Sequence, residues 1–374
     1  MAAFDAPIDV SRAASAKVVQ PSAARRDRDF DVLRGWAIVL MIFSHAGAKT
    51  ALGALAHLPY WISAADPFFW LSGAMLGMRA AAGIELRSVW ARARQFWLIH
   101  CVLQLAMLLA HEATGLFRCP SLAALGGGWA VAWKLPLLRV QALDLMNILP
   151  LFAVCFAIAP LALTALRVRL GGSLFLLASA GLWLASQRDG SALRFSDPAC
   201  GDEPFELLAW QFTFFCGLFL GYHQRAIRAA LRRCARQAFV ALSLLVAGSF
   251  VLAQLQRSGF GDHALRIPGA WVEKANWGPL RAVYVVGILC WVYSLLGWCR
   301  QHWPEPTARL LAPLELLGQS SLYCFLVHLV PALLASALLV DTWPLLPREL
   351  APLAGIAFVY AAARTQLLAR YLPH

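Results

Sequence analysis

Arg34 and His45 stand near the two ends of the first long apolar run of this chain. An ionisable side chain inside such a run costs about 2.5 kcal/mol or more in a bilayer, so each is a functional candidate by default. Eleven helical steps separate them, about 16 Å of rise and three turns plus about 20°, which places both side chains on one face. That geometry suits a thioester donor with anionic phosphates at one end and an acyl group on a long arm. Basic residues at one mouth could hold the phosphates while the arm carries the acyl group inward. An imidazole further along could deprotonate a sugar hydroxyl, because its ordinary pKa near 6.5 allows proton exchange at neutral pH. The same pair admits a plainer reading, with Arg34 snorkelling to lipid phosphates and His45 acting as a polar link between helices.

The elements that must position them follow from composition. Of 374 residues, 60% are hydrophobic and 14% charged, against about 45–50% and roughly 25% in soluble domains. A globular core with a solvated surface is excluded, and so are a collagen and a small disulfide scaffold. Runs of near-spanning length fall at 32–48, 66–83, 95–112, 143–166, 170–186, 205–222, 237–256, 279–298, 316–339 and 348–368, each close to the roughly 20 residues a spanning helix needs. The expectation is an all-α, polytopic integral membrane bundle of ten helices, with residues 1–28 a disordered cytoplasmic leader and 29–374 one transmembrane domain.

Charge sets the orientation. With the N-terminus cytoplasmic and the spans alternating, most of the basic residues collect inside, as the positive-inside rule requires. Arg79, Arg87, Arg92 and Arg94 follow the second run, and Arg225, Arg228, Arg232, Arg233 and Arg236 follow the sixth. Asp197, Asp202, Glu203 and Glu206 fall outside, and both termini are expected inside. The net charge of +12 therefore reports cytoplasmic loops, and no nucleic-acid partner is expected. Ala46-Gly47-Ala48 looks like a signal-peptidase site, but the run lies late behind a charged leader, so retention is expected. Only Cys119 and Cys200 fall in outer loops, where an oxidising compartment permits a bridge; spacing does not decide whether they form one.

Further motifs carry a resemblance. Asp31-Val32-Leu33-Arg34-Gly35 followed by His45 resembles the Arg-ten-residues-His signature of the membrane acyltransferase-3 superfamily, and Pro67-Phe68-Phe69-Trp70-Leu71-Ser72-Gly73 its aromatic-Leu-Ser-Gly motif. Other segments resemble the family of the periplasmic-glucan succinyltransferase, OpgC. They are Arg94-Gln95-Phe96-Trp97-Leu98-Ile99-His100, Asn147-Ile148-Leu149-Pro150-Leu151-Phe152, Ala209-Trp210-Gln211 with Gly217, and Leu317-Gly318-Gln319-Ser320-Ser321-Leu322. They occur in the family's order across residues 28–325. The chain departs from the pattern at Ser44, where the family commonly has Asp, at Phe152, where it has Tyr, and at Ala74, where it has an aromatic residue.

The resemblance implies a transmembrane acyltransferase of the cell inner membrane, taking an acyl group from cytoplasmic acyl-CoA to hydroxyls of a periplasmic glucan or other glycan. Succinyl-CoA is the donor that the closest analogy suggests, used as a substrate rather than a bound cofactor. His45 is the expected general base or transient acyl carrier, and Arg34 positions the donor or stabilises negative charge. His100 is implied by the resemblance to shape the site, and Gln211 could bond a sugar or hold His45. Asp144 and Asn147 could line the acceptor entrance or simply cap a helix. Arg92 and Arg94 could contact donor phosphates or serve as interfacial anchors. Ser72 with Gly73 reads as a site of close helix approach, and His328, ahead of Pro331, as a packing or kink residue. No Gly-rich phosphate loop, His-Glu-x-x-His or Cys-x-x-Cys is present, so neither ATP-driven work nor a metal is expected. An O-acetyltransferase of a surface polysaccharide, a secondary transporter or flippase, and a scaffolding membrane protein are the alternatives; the oligomeric state is open.

Overall fold

The computed structural model describes residues 27–47, 50–57, 61–115, 123–140, 146–188, 194–195, 205–231, 235–257, 268–338 and 344–367. Nearly all of them are helical. In chain order the helices are α1 (Arg28–Ala46), α2 (Ala51–Ala56), α3 (Ala65–Ala81), α4 (Leu86–Thr114), α5 (Gly127–Lys134), α6 (Ile148–Leu166), α7 (Gly171–Ser186) and α8 (Leu207–Tyr222). They continue as α9 (Gln224–Leu231), α10 (Ala235–Arg257), α11 (Gly269–Val272), α12 (Pro279–His302), α13 (Pro304–Gln319), α14 (Ser321–Val327), α15 (Leu329–Leu338) and α16 (Leu345–Thr365). Two short strands, β1 (Arg194–Phe195) and β2 (Phe205–Glu206), pair antiparallel just ahead of α8. Of the expected leader, residues 1–26 lie outside the described residues, as do Cys119, Asp144 and Cys200. The leader's last two positions belong to the first helix, which Arg28 opens and Asp27 caps by accepting from the Asp29 amide at 3.1 Å.

Each apolar run of the sequence falls on helix. Among the described residues, α4, α6, α10 and α12 are long and apolar enough to cross a membrane, and a bent pair would bring the number to five. α7 and α8 are apolar but have 16 residues each, about 24 Å of rise against a hydrocarbon core of roughly 30 Å. The ninth run, expected as one helix over 316–339, is instead broken. It begins in the last turn of α13, turns at Ser320 by 79°, and continues into α14 and α15. Apolarity cannot register such a bend, because both arms are apolar alike; the polar stretch Gln319-Ser320-Ser321 is its trace in the sequence.

α1 runs through the middle of this half of the bundle, packed on α3, α12, α13, α14, α15 and α16. Its crossing with α13 depends on missing side chains. A Cβ at Gly35 would lie 1.9 Å from the Leu314 carbonyl oxygen, and one at Gly318 would lie 1.7 Å from that of Asp31. The most extensive packing joins α3 to α8. Gly73 abuts the Phe214 carbonyl and Gly77 that of Leu218, while Gly217 abuts Trp70 and Gly221 abuts Ala74. Contacts thus advance together along both helices, which run parallel, each offering a small-xxx-small face to the other. The expected close approach at Gly73 is observed, and the Ser72 hydroxyl folds back onto the Phe68 carbonyl at 2.7 Å. By contrast α7 and α8 are antiparallel, Phe175 meeting Phe215 and Ser179 meeting Gln211.

Polar groups sort to two ends. At one, Asp27 accepts from the Tyr293 hydroxyl at 2.9 Å and Arg228 at 2.8 Å, Asp29 pairs with Arg300 at 2.5 Å, and Glu315 pairs with Arg28 at 2.6 Å. At the other, Asp66 is fully buried and holds Arg281 through contacts of 2.6 and 3.1 Å. The Trp277 indole and both the amide and hydroxyl of Ser63 donate to the same carboxylate. Around it the segment between α11 and α12 is tied down by side chains. Trp183 donates to the Trp277 carbonyl, Gln187 to that of Asn276, and Trp210 to those of Lys274 and Ala275.

Candidate active site

Arg34 and His45 do share a face, because both reach the same neighbouring segment. The Arg34 guanidinium donates to the Ser321 hydroxyl at the start of α14 and to the Met75 sulfur of α3 at 2.9 Å. Seven positions along, where α14 gives way to α15, His328 meets His45. His45 Nδ1 and His328 Nε2 are 2.9 Å apart, with the rings stacked at 5.2 Å. α14 therefore follows α1 from the arginine to the histidine, and the helix break at Ser320 is what allows it.

The protonation pattern of the imidazole pair follows from a carbonyl. His328 Nδ1 contacts the Phe325 carbonyl oxygen, which can only accept, so Nδ1 carries a hydrogen. In a neutral ring Nε2 is then an acceptor, and His45 Nδ1 must donate to it. That leaves His45 Nε2 with a lone pair and no bond to another described residue. Lys274 and His57 lie within electrostatic range of the His45 ring. Ser44, on the preceding position, bonds His57 Nε2 and the Leu40 carbonyl, each at 2.9 Å, and so belongs to the contact between α1 and α2. His328 itself is fully buried.

The floor of this pair is aromatic. Phe325 packs against His328 and stacks on Phe68, which meets Phe152. Phe152 is surrounded by Phe68, Phe69, Phe96 and Phe156, so a tyrosine hydroxyl would find no partner among those rings. Ala74 lies under Gly217 and Gly221 in the tight contact of α3 with α8.

The other candidates are dispersed. Gln211 spends its amide on α7 and its own helix, accepting from the Ser179 hydroxyl at 2.6 Å and donating to the Ser179 and Leu208 carbonyls at 2.8 Å. His100 is completely buried on α4, which packs chiefly on α6. Among the described residues its ring nitrogens reach no partner at hydrogen-bonding geometry, the Val140 backbone being their polar neighbour. Asn147 is buried at the start of α6, while Asp144 is outside the described residues. Arg92 bonds Gln95 one turn along α4 at 2.8 Å, and Arg94 is exposed. Among the described residues no three His, Cys, Asp or Glu side chains converge as a metal site would need.

Sequence reasoning missed two features. His328 was read as a packing or kink residue and is instead the partner of His45. Asp66 and Arg281 were passed over, although opposite charges at the starts of the second and eighth apolar runs were a usable signal.

The long apolar helices, the half-buried, interior-facing Arg34 and the buried His328 mark a membrane protein. No curated protein matches the chain. The model of a family described as OpgC protein matches residues 26–370, which takes in every residue of the imidazole pair, the arginine contact and the helix break, and the chain belongs to that family.

Proposed function

We propose that this protein is a ten-span acyltransferase of the cell inner membrane, with both termini cytoplasmic. It takes an acyl group from cytoplasmic acyl-CoA, succinyl by family analogy, and passes it to a hydroxyl of a periplasmic glucan. Membership of the OpgC family supports a glucan-modifying acyltransferase. The alternating threading is supported by helix direction: the second and sixth runs pack parallel, and the fifth and sixth pack antiparallel. It is supported again by the sorting of Asp27, Arg228, Arg300 and Glu315 to one end.

One observation carries the chemistry, the 2.9 Å contact of His45 Nδ1 with His328 Nε2; in our reading it leaves His45 Nε2 as the base. His45 Nε2 takes the proton of the acceptor hydroxyl as that oxygen attacks the thioester carbonyl. The carbon–sulfur bond then breaks, and the departing thiolate recovers the proton from the imidazolium. Arg34, on the same face towards the opposite end, positions the donor or stabilises its negative charge. Arg92 and Arg94 serve the donor phosphates, His100 shapes the site, and Asp144 and Asn147 line the acceptor entrance; Gln211 contributes by fixing α8 to α7.

The test is mass spectrometry of periplasmic glycans from cells with and without the gene. A mass increment present only with the gene identifies both acyl group and acceptor, and an acetyl increment reassigns the donor. His45→Ala is expected to abolish the increment while the protein still inserts. Unaltered glycans in the deletion strain, or full modification by His45→Ala, overturn the reading.

A further inference from the structure

We propose that His328 is a positioning residue that fixes the tautomer and orientation of His45 and shares the proton it takes up. The inference rests on the reading of His45 as the base. Three groups form a chain: the Phe325 carbonyl, the His328 ring and the His45 ring. The carbonyl accepts from His328 Nδ1, so His328 Nε2 accepts from His45 Nδ1, and the lone pair of His45 Nε2 is the base. The opposite tautomer of His45 would set two lone pairs against each other at 2.9 Å. One proton position is therefore selected, by a backbone oxygen at a helix junction rather than by a carboxylate.

The same chain manages charge. When Nε2 takes the hydroxyl proton, His45 becomes an imidazolium whose Nδ1 hydrogen already points at His328 Nε2. Passing that hydrogen across leaves His45 neutral and His328 doubly protonated, with its second hydrogen still on the Phe325 carbonyl. The positive charge spreads over two rings, and no atom need move by more than a proton transfer. His57 and Lys274, the other basic groups within electrostatic range of His45, have no place in this chain. His57 is held by Ser44 and by the Gly53 carbonyl at 2.8 Å, and the Lys274 ammonium lies over the Phe205 ring.

The place of His328 in the fold fits this role. His328 sits at that junction, its amide still bonded to the Cys324 carbonyl at 2.9 Å, and the ring turns back onto the carbonyl of Phe325. A residue that only filled space there would need no acceptor at the Nε2 position.

The experiment compares three variants of the full-length protein, using succinyl-CoA as donor and glucan from the deletion strain as acceptor. In H328Q the amide oxygen falls where Nε2 was. H328N has the same amide but is one methylene shorter and cannot reach His45. H328L has neither. H328Q, which can hold His45 Nδ1 but cannot take up the proton, is expected to lose about 10-fold in kcat, whereas H328N and H328L, which do neither, lose about 100-fold, the scale of a misaligned general base, with KM for the donor unchanged. Equal activity of H328Q and H328N overturns the proposal, as does a full kcat in H328L. Should H328L fail to fold, the two amide variants decide alone. H45A, run alongside, separates the cases: activity retained there removes the base itself, whereas an inactive H45A beside an indifferent H328L removes only the relay.

Discussion

The two ends of the bundle are held by different physics. The end with Asp27, Asp29, Arg228, Arg300 and Glu315 is a mesh of ion pairs, some of them half exposed. The end with Asp66 has, among the described residues, one ion pair, with the two side chains 7% and 0% exposed, inside a frame of indole and amide donors to the carboxylate and to backbone carbonyls. Partly solvated pairs are individually weak and tolerate the loss of a member. A buried pair gains little over an apolar replacement, yet losing one partner leaves an uncompensated charge. The first end can therefore loosen piecemeal, while the second stands or falls as a unit. The imidazole pair is built on the second side, within electrostatic range of Lys274 of the tied-down segment.

The largest effect that would break this contrast is at Asp66. D66N is expected to cost about 3–5 kcal/mol, by stranding the Arg281 guanidinium. A D66L/R281L double variant should recover part of that loss in a thermal melt in detergent. A double variant no better than the single would mean that the donor frame, not the charge, holds this end. A middle effect is expected at the crossing of α1 with α13, beside the first end. G318A places a methyl against the Asp31 carbonyl and should cost about 1–3 kcal/mol through forced separation of α13 from α1; the same substitution at Gly297, which faces open space, is the control. The smallest is at the ion mesh. R228Q should cost under about 1 kcal/mol, and high salt should shrink even that, while leaving the D66N deficit unchanged. A salt-sensitive D66N deficit would erase the distinction between the ends.

What could be read from sequence divides along local and distant lines. The shared face of Arg34 and His45 is a property of one helix and its period, and it holds because both meet α14. Gly73 as a contact residue was legible for the same reason, since a missing side chain invites a neighbour; which neighbour, Phe214, was not. His328 escaped because the register between α1 and α14 depends on the turn at Ser320, and no periodicity within either helix encodes it. Gln211 shows the converse. An amide entering an apolar run looks like a ligand for something outside the chain, and its needs are met by Ser179 on the preceding helix. The resemblance placed the chain in its family without indicating which helices its motifs join. The structure answers part of this: Arg34 and the Leu-Gly-x-x-Ser-Leu segment are two sides of one contact.

The partners in the imidazole pair are 283 residues apart. A ribosome delivering this protein into a membrane would have inserted α1 long before α14 existed, so His45 must wait through most of synthesis with its Nδ1 unclaimed by the ring that finally meets it. A chain that stalls or is clipped after α13 would carry the first histidine in full and still lack its companion, which makes the last helices the point at which the product of translation becomes competent.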